Sequence, residues 1–220
     1  MSIVDICISS ALNFKIYENQ KKLFINDIPL KCFGVFISVK RSVKQSLNKY
    51  PKEIHGCIGY WDNNYKVLTK NIIFEKMISL SKSSTWEDNR KNYFKNEIYK
   101  DALALYEINF MMKPLLKINN ESGIMGNNIK FDNKKYDIII ESNYNRATFL
   151  PNVFPNKKWD EIKDNLIKKG NIKGDYKLFA YKVISIKKKL IHFIKSYKKY
   201  IINYFLLFIK KNYKTFIPYE

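Results

Sequence analysis

Between residues 3 and 17 apolar side chains recur at helical intervals, with Ile3, Cys7, Phe14 and Tyr17 near one face and Ile8, Ala11 and Leu12 beside it. That spacing predicts a helix lying on a core. After Pro29 the pattern changes: "CFGVFISVKR" (32–41) has the β-branched and aromatic enrichment of a strand. Residues 41–53 are polar and basic, run through Tyr50-Pro51 and read as an extended loop. The strand "IHGCIGYW" (54–61) follows, then a helix from about Val67 to Ser83 marked by Leu68, Ile72, Met77 and Leu80. "YEINFMMKPLLKI" (106–118) is a strand that ends or bends at Pro114. Residues 123–144 read as strands joined by the turn Asp132-Asn133, with Ile138-Ile139-Ile140 inside one of them. Trp159, Ile162, Leu166 and Ile167 again fall at helical spacing, with Gly170 in the position of a C-cap, and "YKLFAYKVISI" closes the core as a strand. Together these elements predict an α+β fold, a mixed, largely antiparallel sheet with covering helices.

At 220 residues with 46% hydrophobic content, the chain can bury a core as one domain, or one domain with a small lobe. The charge of +20 points to nucleic acid or an anionic membrane surface. That inference weakens because Asn, Ile, Tyr and Phe are abundant together with Lys, the residue mixture of an AT-rich coding sequence. Nucleic acid is therefore a partner the charge allows but does not favour. The three cysteines, Cys7, Cys32 and Cys57, form no CxxC pair or Cys/His cluster, so neither a metal nor another cofactor is expected. The start of the chain carries Asp5 and Glu18 and lacks the form of a secretory signal. An intracellular protein with reduced thiols, cytoplasmic or nuclear, is the expectation.

Residues 187–220 differ in character, with nine lysines against one glutamate. Leu190, Ile194, Tyr197, Ile201, Phe205 and Phe208 fall on one helical face. Its longest nearly apolar run, "YIINYFLLFI", has ten residues, against about 20 needed to span a bilayer. A basic amphipathic helix of this kind suits an anionic membrane surface, a partner helix or its own domain.

The chemistry with most interest lies in "KEIHGCIGYW". In a regular strand residues two apart share a face, so His55 and Cys57 could meet as base and nucleophile, with Glu53 or Asp88 as orienting carboxylate. The plainer reading makes Cys57 a small buried hydrophobe whose flanking glycines, Gly56 and Gly59, let another backbone approach. Asp88 and Arg90 are either a structural ion pair or an anion contact beside those glycines. Trp61 is either groove lining or core, and Glu107 reads as an edge acid.

The order of these motifs resembles the AMMECR domain family. Its Leu-Arg-Gly-Cys-Ile-Gly signature is matched by "IHGCIG", and its Gly-Val-Phe strand by "FGVFISVK". Its Asp-x-Arg segment is matched by "SSTWEDNRKNYFKNEI", and "YEINFMMKPLLKI" is similar to its Glu-Ile-Ser-Val-Leu-x-Pro strand. Its Leu-Pro, Trp-Asp and Lys-x-Gly series is matched by "RATFLPNVFPNKKWDEIKDNLIKKGNI". His55 stands where the family has Arg, the first loop is longer, and Lys91 replaces a Phe. The resemblance implies a two-lobed domain over residues 1–186, with the signature near the groove between lobes, followed by the basic extension 187–220. It attaches no reaction to the domain. The expected function is a noncatalytic binding or adaptor domain, for a protein or small ligand, using the groove of Gly56, Gly59, Trp61, Asp88 and Arg90. The alternatives are an enzyme or enzyme subunit acting on RNA or protein, with Cys57 as the reactive group and His55 beside it, and a nucleic-acid binder.

Overall fold

The computed structural model describes residues 2–12, 24–42, 52–89, 104–149, 157–190 and 192–195. Helix α1 (Ile3–Ala11) is followed by β1 (Cys32–Ser42), β2 (Lys52–Trp61) and α2 (Lys70–Trp86). The long β3 (Leu105–Ile118), the two-residue β4 (Ile124–Met125) and β5 (Ile129–Lys130), then β6 (Asp137–Glu141) and β7 (Arg146–Phe149) come next. Helix α3 (Trp159–Gly170) and β8 (Lys177–Lys189) complete the described elements. The strands form one sheet in the order β2-β1-β3-β8-β6-β7, with β4 on β3 and β5 on β4. Every pairing among the described residues is antiparallel, so the largely antiparallel sheet expected from sequence is found, without the parallel pairing that a mixed sheet would add.

The sheet curls. The Tyr65 hydroxyl, just past β2, donates to Glu141 of β6 at 2.9 Å, and Arg146 of β7 reaches the Asn63 carbonyl at 3.5 Å. Contacts between opposite ends of the strand order give the sheet an inner and an outer side. Along β1, Val35, Ile37 and Val39 pack outward into a core shared with α1 and α2, whereas Phe36 joins an inner cluster with Phe33, Met111, Ile139 and Tyr181. A second outer core lies under α3, whose Ile162 and Leu166 meet Ile138, Ile140, Leu178 and Ala180. Alternation along each strand thus feeds both sides, and two helix-covered cores make the α+β, two-lobed arrangement.

Local chemistry sets the helix ends. Thr69 caps α2 by accepting from the Ile72 N–H at 3.3 Å, which starts that helix three residues after the expected Val67. Buried Asp5 accepts from the Ser2 N–H and from Lys188 of β8, both at 2.6 Å, tying α1 to the sheet. Gly170 is not the cap of α3. It is the last helical residue, and Asn171 takes the left-handed conformation, φ 46°. Asparagine tolerates that conformation, while a Cβ on Gly170 would come within 2.9 Å of Ile172.

Of the end or bend expected at Pro114, β3 does not end there but continues to Ile118, with a register shift between Met112 and Leu116. Glu107 is not on an edge, because β3 lies between β1 and β8 and Glu107 pairs with Lys40 at 2.5 Å. The boundary at residue 186 falls inside β8, and Leu190 and Phe193 are buried in the α1–α2 core, the Leu190 N–H bonding Ala104 at 2.8 Å. Phe14 and Tyr17, and the tail positions Tyr197, Ile201, Phe205 and Phe208, lie outside the described residues. Among the described residues no helix is long and apolar enough to cross a membrane.

Candidate functional site

The signature strand is β2, the edge of the sheet, and its register explains its composition. Cys57 pairs with Ser38 and Gly56 with Val39, but Lys40 pairs with Ile54, leaving His55 as an extra, bulged residue. The expectation that His55 and Cys57 share a face is therefore corrected. Cys57 stays on the inner side, where the Ser38 hydroxyl donates to its sulfur at 3.1 Å. His55 turns to α2, and its Nε2 lies 3.0 Å from the Thr85 carbonyl oxygen. A carbonyl only accepts, so Nε2 carries the proton and donates.

The end of α2 clamps this strand at two more points. The Ser84 carbonyl lies against Gly56 so closely that a Cβ there would be 1.8 Å from its oxygen. Asp88, just beyond the helix, accepts the outward N–H of Cys57 at 2.9 Å. An edge strand leaves such N–H groups without a ladder partner, and a carboxylate is a strong substitute. We expect Asp88→Ala to cost about 2 kcal/mol in urea unfolding and to speed hydrogen exchange at the Cys57 amide, with Asp88→Asn losing roughly half as much. Unchanged exchange in Asp88→Ala would remove this clamp from the account. Arg90 lies outside the described residues.

Farther along β2 the side chains alternate: Ile58 and Tyr60 pack on the outer core, and Gly59 and Trp61 face inward. The Phe36 ring occupies the space over Gly59, 2.2 Å from where a Cβ would stand. Trp61 stacks on Phe36 with centroids 5.6 Å apart, and the Arg146 guanidinium lies 5.8 Å from the indole centroid. The indole N–H of Trp61 is buried with no hydrogen-bond partner. Cys57, Gly59 and Trp61 therefore share the inner side, His55 and Gly56 serve the seat of α2, and Asp88 closes the edge.

Several residues that matter here, Glu107 apart, were missed in the sequence. Register places Ser38 of β1, Glu107 of β3 and Lys187 of β8 in line with Cys57, and Asn109 and Ser185 in the next row with Phe36 and Gly59. Ser38 and Asn109 are 1% and 2% exposed, and the Ser185 hydroxyl donates to Asn109 at 2.6 Å. At the start of β6, Asp137 pairs with Tyr181 and is 1% exposed. Neither of its carboxyl oxygens has a well-formed hydrogen bond among the described residues, although the Tyr181 hydroxyl lies close enough to act on it. Burial pushes its pKa up to about 9; the nearby Tyr181 hydroxyl opposes that rise and the negative charge of Glu107 adds to it. The well-formed bond of Tyr181 goes instead to Thr148, at 2.8 Å. Burial, with Asp137 nearby, also raises the Tyr181 phenol well above its ordinary value. The signal for these positions was a lone polar residue inside an otherwise apolar strand, as in Phe-Ile-Ser-Val or Ile-Asn-Phe.

A separate cleft of about 550 Å³, lined in part by Lys130, Phe131, Lys158 and Trp159, lies at the start of α3. It is away from the signature strand. Among the described residues no group of His, Cys, Asp and Glu is placed to hold a metal ion.

This arrangement is similar to that of a solved structure, an uncharacterised protein from Pyrococcus horikoshii. The two share 15% identity and a TM-score of 0.56, over 84% of this chain and 87% of that one. No curated protein matches the sequence. The sequence profile of the AMMECR1 family matches residues 6–187, which takes in the signature strand, its α2 clamp and β8 almost to its end. The chain belongs to the AMMECR1 family.

Proposed function

We infer that this protein is a noncatalytic intracellular binding or adaptor domain that presents the inner side of its sheet, around Cys57, to a partner. The observation that carries the reading is the bulge at His55. It directs the imidazole to the Thr85 carbonyl of α2 and leaves Cys57 on the other side of the strand, beside a serine hydroxyl that is no base at neutral pH. The conserved-looking chemistry of the signature is then architecture: a bulge, a close approach and an edge cap that hold one half-buried strand in place. Among the described residues, lysines and arginine lie near aromatic rings on β1, β2 and β7 and just before β6 rather than along one strip, which favours a protein or small ligand over nucleic acid.

Thiol kinetics test the noncatalytic part. Burial raises the Cys7 and Cys32 thiols to about 12 and about 11, so both stay silent toward iodoacetamide in the folded protein. Cys57 is expected to react alone, and slowly at pH 6, as an ordinary thiol does. Rapid alkylation of Cys57 at pH 6 would reveal an activated thiolate and give the enzyme reading the advantage. Cys57→Ser is expected to fold normally with a loss of about 1 kcal/mol at most. A partner held by the wild type and released by Cys57→Arg, which fills the inner side, would support the binding role.

A further inference from the structure

The cleft of about 550 Å³ at the start of α3 shares no lining residue with the signature strand or the inner side of the sheet. Two segments build its walls, and each brings a lysine followed by an aromatic ring: Lys130-Phe131 leaving β5, and Lys158-Trp159 entering α3. The rings are fixed in place. Trp159 lies over Gly123, where a Cβ would stand 2.8 Å from the indole, and its N–H donates to the Asn120 carbonyl at 3.3 Å. Gly123 also has φ 68°, so both conformation and space call for glycine there. The Phe131 N–H donates to the Gly123 carbonyl at 2.9 Å, and the Phe131 and Trp159 centroids are 5.5 Å apart with the planes at 60°. Both aromatic residues are only half-buried.

The charges around these rings do not cancel. Asp132 and Asp160 belong to the lining, but both are engaged. Asp132 accepts from the Lys134 backbone N–H at 2.9 Å and pairs with Lys135 at 3.7 Å, and Asp160 pairs with Lys163 at 3.1 Å. Lys157 answers Glu161 at 3.7 Å. Lys130 and Lys158 are exposed and have no carboxylate within ion-pair distance among the described residues. Asp160 and Glu161 already oppose the positive end of the α3 dipole, so attraction for an anion comes from the two lysines and not from the helix. Size narrows the class of anion. Pockets of roughly 300–1,000 Å³ hold small organic ligands, and a bare phosphate here would leave both rings uncovered.

We propose that this cleft binds a flat ring carrying an anionic group, in the form of a mononucleotide, with the ring against Phe131 and Trp159 and the phosphate met by Lys130 and Lys158. A base gains from aromatic contact whatever its identity, and a phosphate dianion answers two ammonium groups where a carboxylate answers one. The site is separate from Cys57 and independent of what the inner side of the sheet binds.

The test follows the three indole N–H resonances of the full chain, with Trp159 assigned through Trp159→Phe, during titration with AMP, adenosine, benzoate and inorganic phosphate. AMP in the millimolar range is expected to move the Trp159 resonance and leave Trp61 and Trp86 in place, and its affinity to fall with added salt. Adenosine lacks the charge, phosphate the ring and benzoate the second charge, so each is expected to bind more weakly. Lys130→Gln combined with Lys158→Gln is expected to weaken AMP about tenfold, as two partly screened ion pairs require, while Lys173→Gln, an exposed lysine beyond the far end of α3, changes nothing. Equal AMP affinity in the double variant, or no movement of Trp159 with AMP, would overturn the proposal. Phosphate binding as tightly as AMP would reduce the cleft to a plain anion site, and benzoate binding as tightly would make it a site for aromatic acids; either overturns the nucleotide. Movement of all three indoles together would show diffuse anion binding to a basic surface and overturn the site itself.

Discussion

Gly56→Ala is expected to destabilise the protein by more than about 3 kcal/mol, near the upper end of overpacking penalties, and to leave much of the expressed chain insoluble. The added methyl would sit 1.8 Å from the Ser84 carbonyl oxygen and 3.1 Å from the Asp88 Cβ. Neither neighbour is the free end of a flexible side chain. Ser84 is a backbone carbonyl at the end of α2, and moving it disturbs the Thr85 contact to His55 and the Asp88 cap on Cys57 together. Gly59→Ala meets the Phe36 ring instead, which can rotate, so a smaller loss of about 1–3 kcal/mol is expected there. Chemical unfolding of both variants, with the amide exchange of Cys57 as a local probe, separates the two. A Gly56→Ala protein as stable as wild type would show that α2 is not seated on the signature strand.

The glycines, then, are explained by packing that no local pattern reveals. The strands themselves were legible because their apolar positions are dense: β1 and β8 are near their expected limits, and α3 follows Trp159, Ile162 and Leu166 directly. What could not be read depends on partners distant in sequence. The bulge at His55 exists because β1 and α2 hold β2 from two sides, and no residue between 52 and 61 announces it. The central position of Glu107 follows from β8 pairing with β3, a contact across some 80 residues. Gly170 seemed the better cap by composition, yet close packing on Ile172 and Ala147 uses it one position earlier. Asp137 drew no reading of its own beside Ile138-Ile139-Ile140, because only the curl of the sheet encloses it. The family resemblance supplied the order of motifs, and the structure supplied what each motif touches.

Asp137→Asn is expected to make the protein more stable at pH 8, by on the order of 5 kcal/mol, and to flatten its stability between pH 5 and pH 8. An ordinary aspartate ionises near 3.8, whereas burial holds Asp137 protonated to about 9 in the folded protein. Between those values the unfolded chain has lost a proton that the folded chain keeps. The folded state thus binds more protons, and stability falls as pH rises from about 4 to about 9, then levels off. At 1.36 kcal/mol per pKa unit the loss is on the order of 4 kcal/mol by pH 7. Asparagine has nearly the same shape, cannot ionise in either state, and removes that slope. Near pH 4 the unfolded aspartate is only about half ionised, so the two proteins should differ little there. The measurement is urea unfolding of wild type and Asp137→Asn at several pH values, with Asp160→Asn, an exposed site on α3, as control. A constant difference between wild type and Asp137→Asn across that range would show that the folded carboxyl ionises normally, and a variant less stable at pH 8 than wild type would show that the charged form is held by a partner.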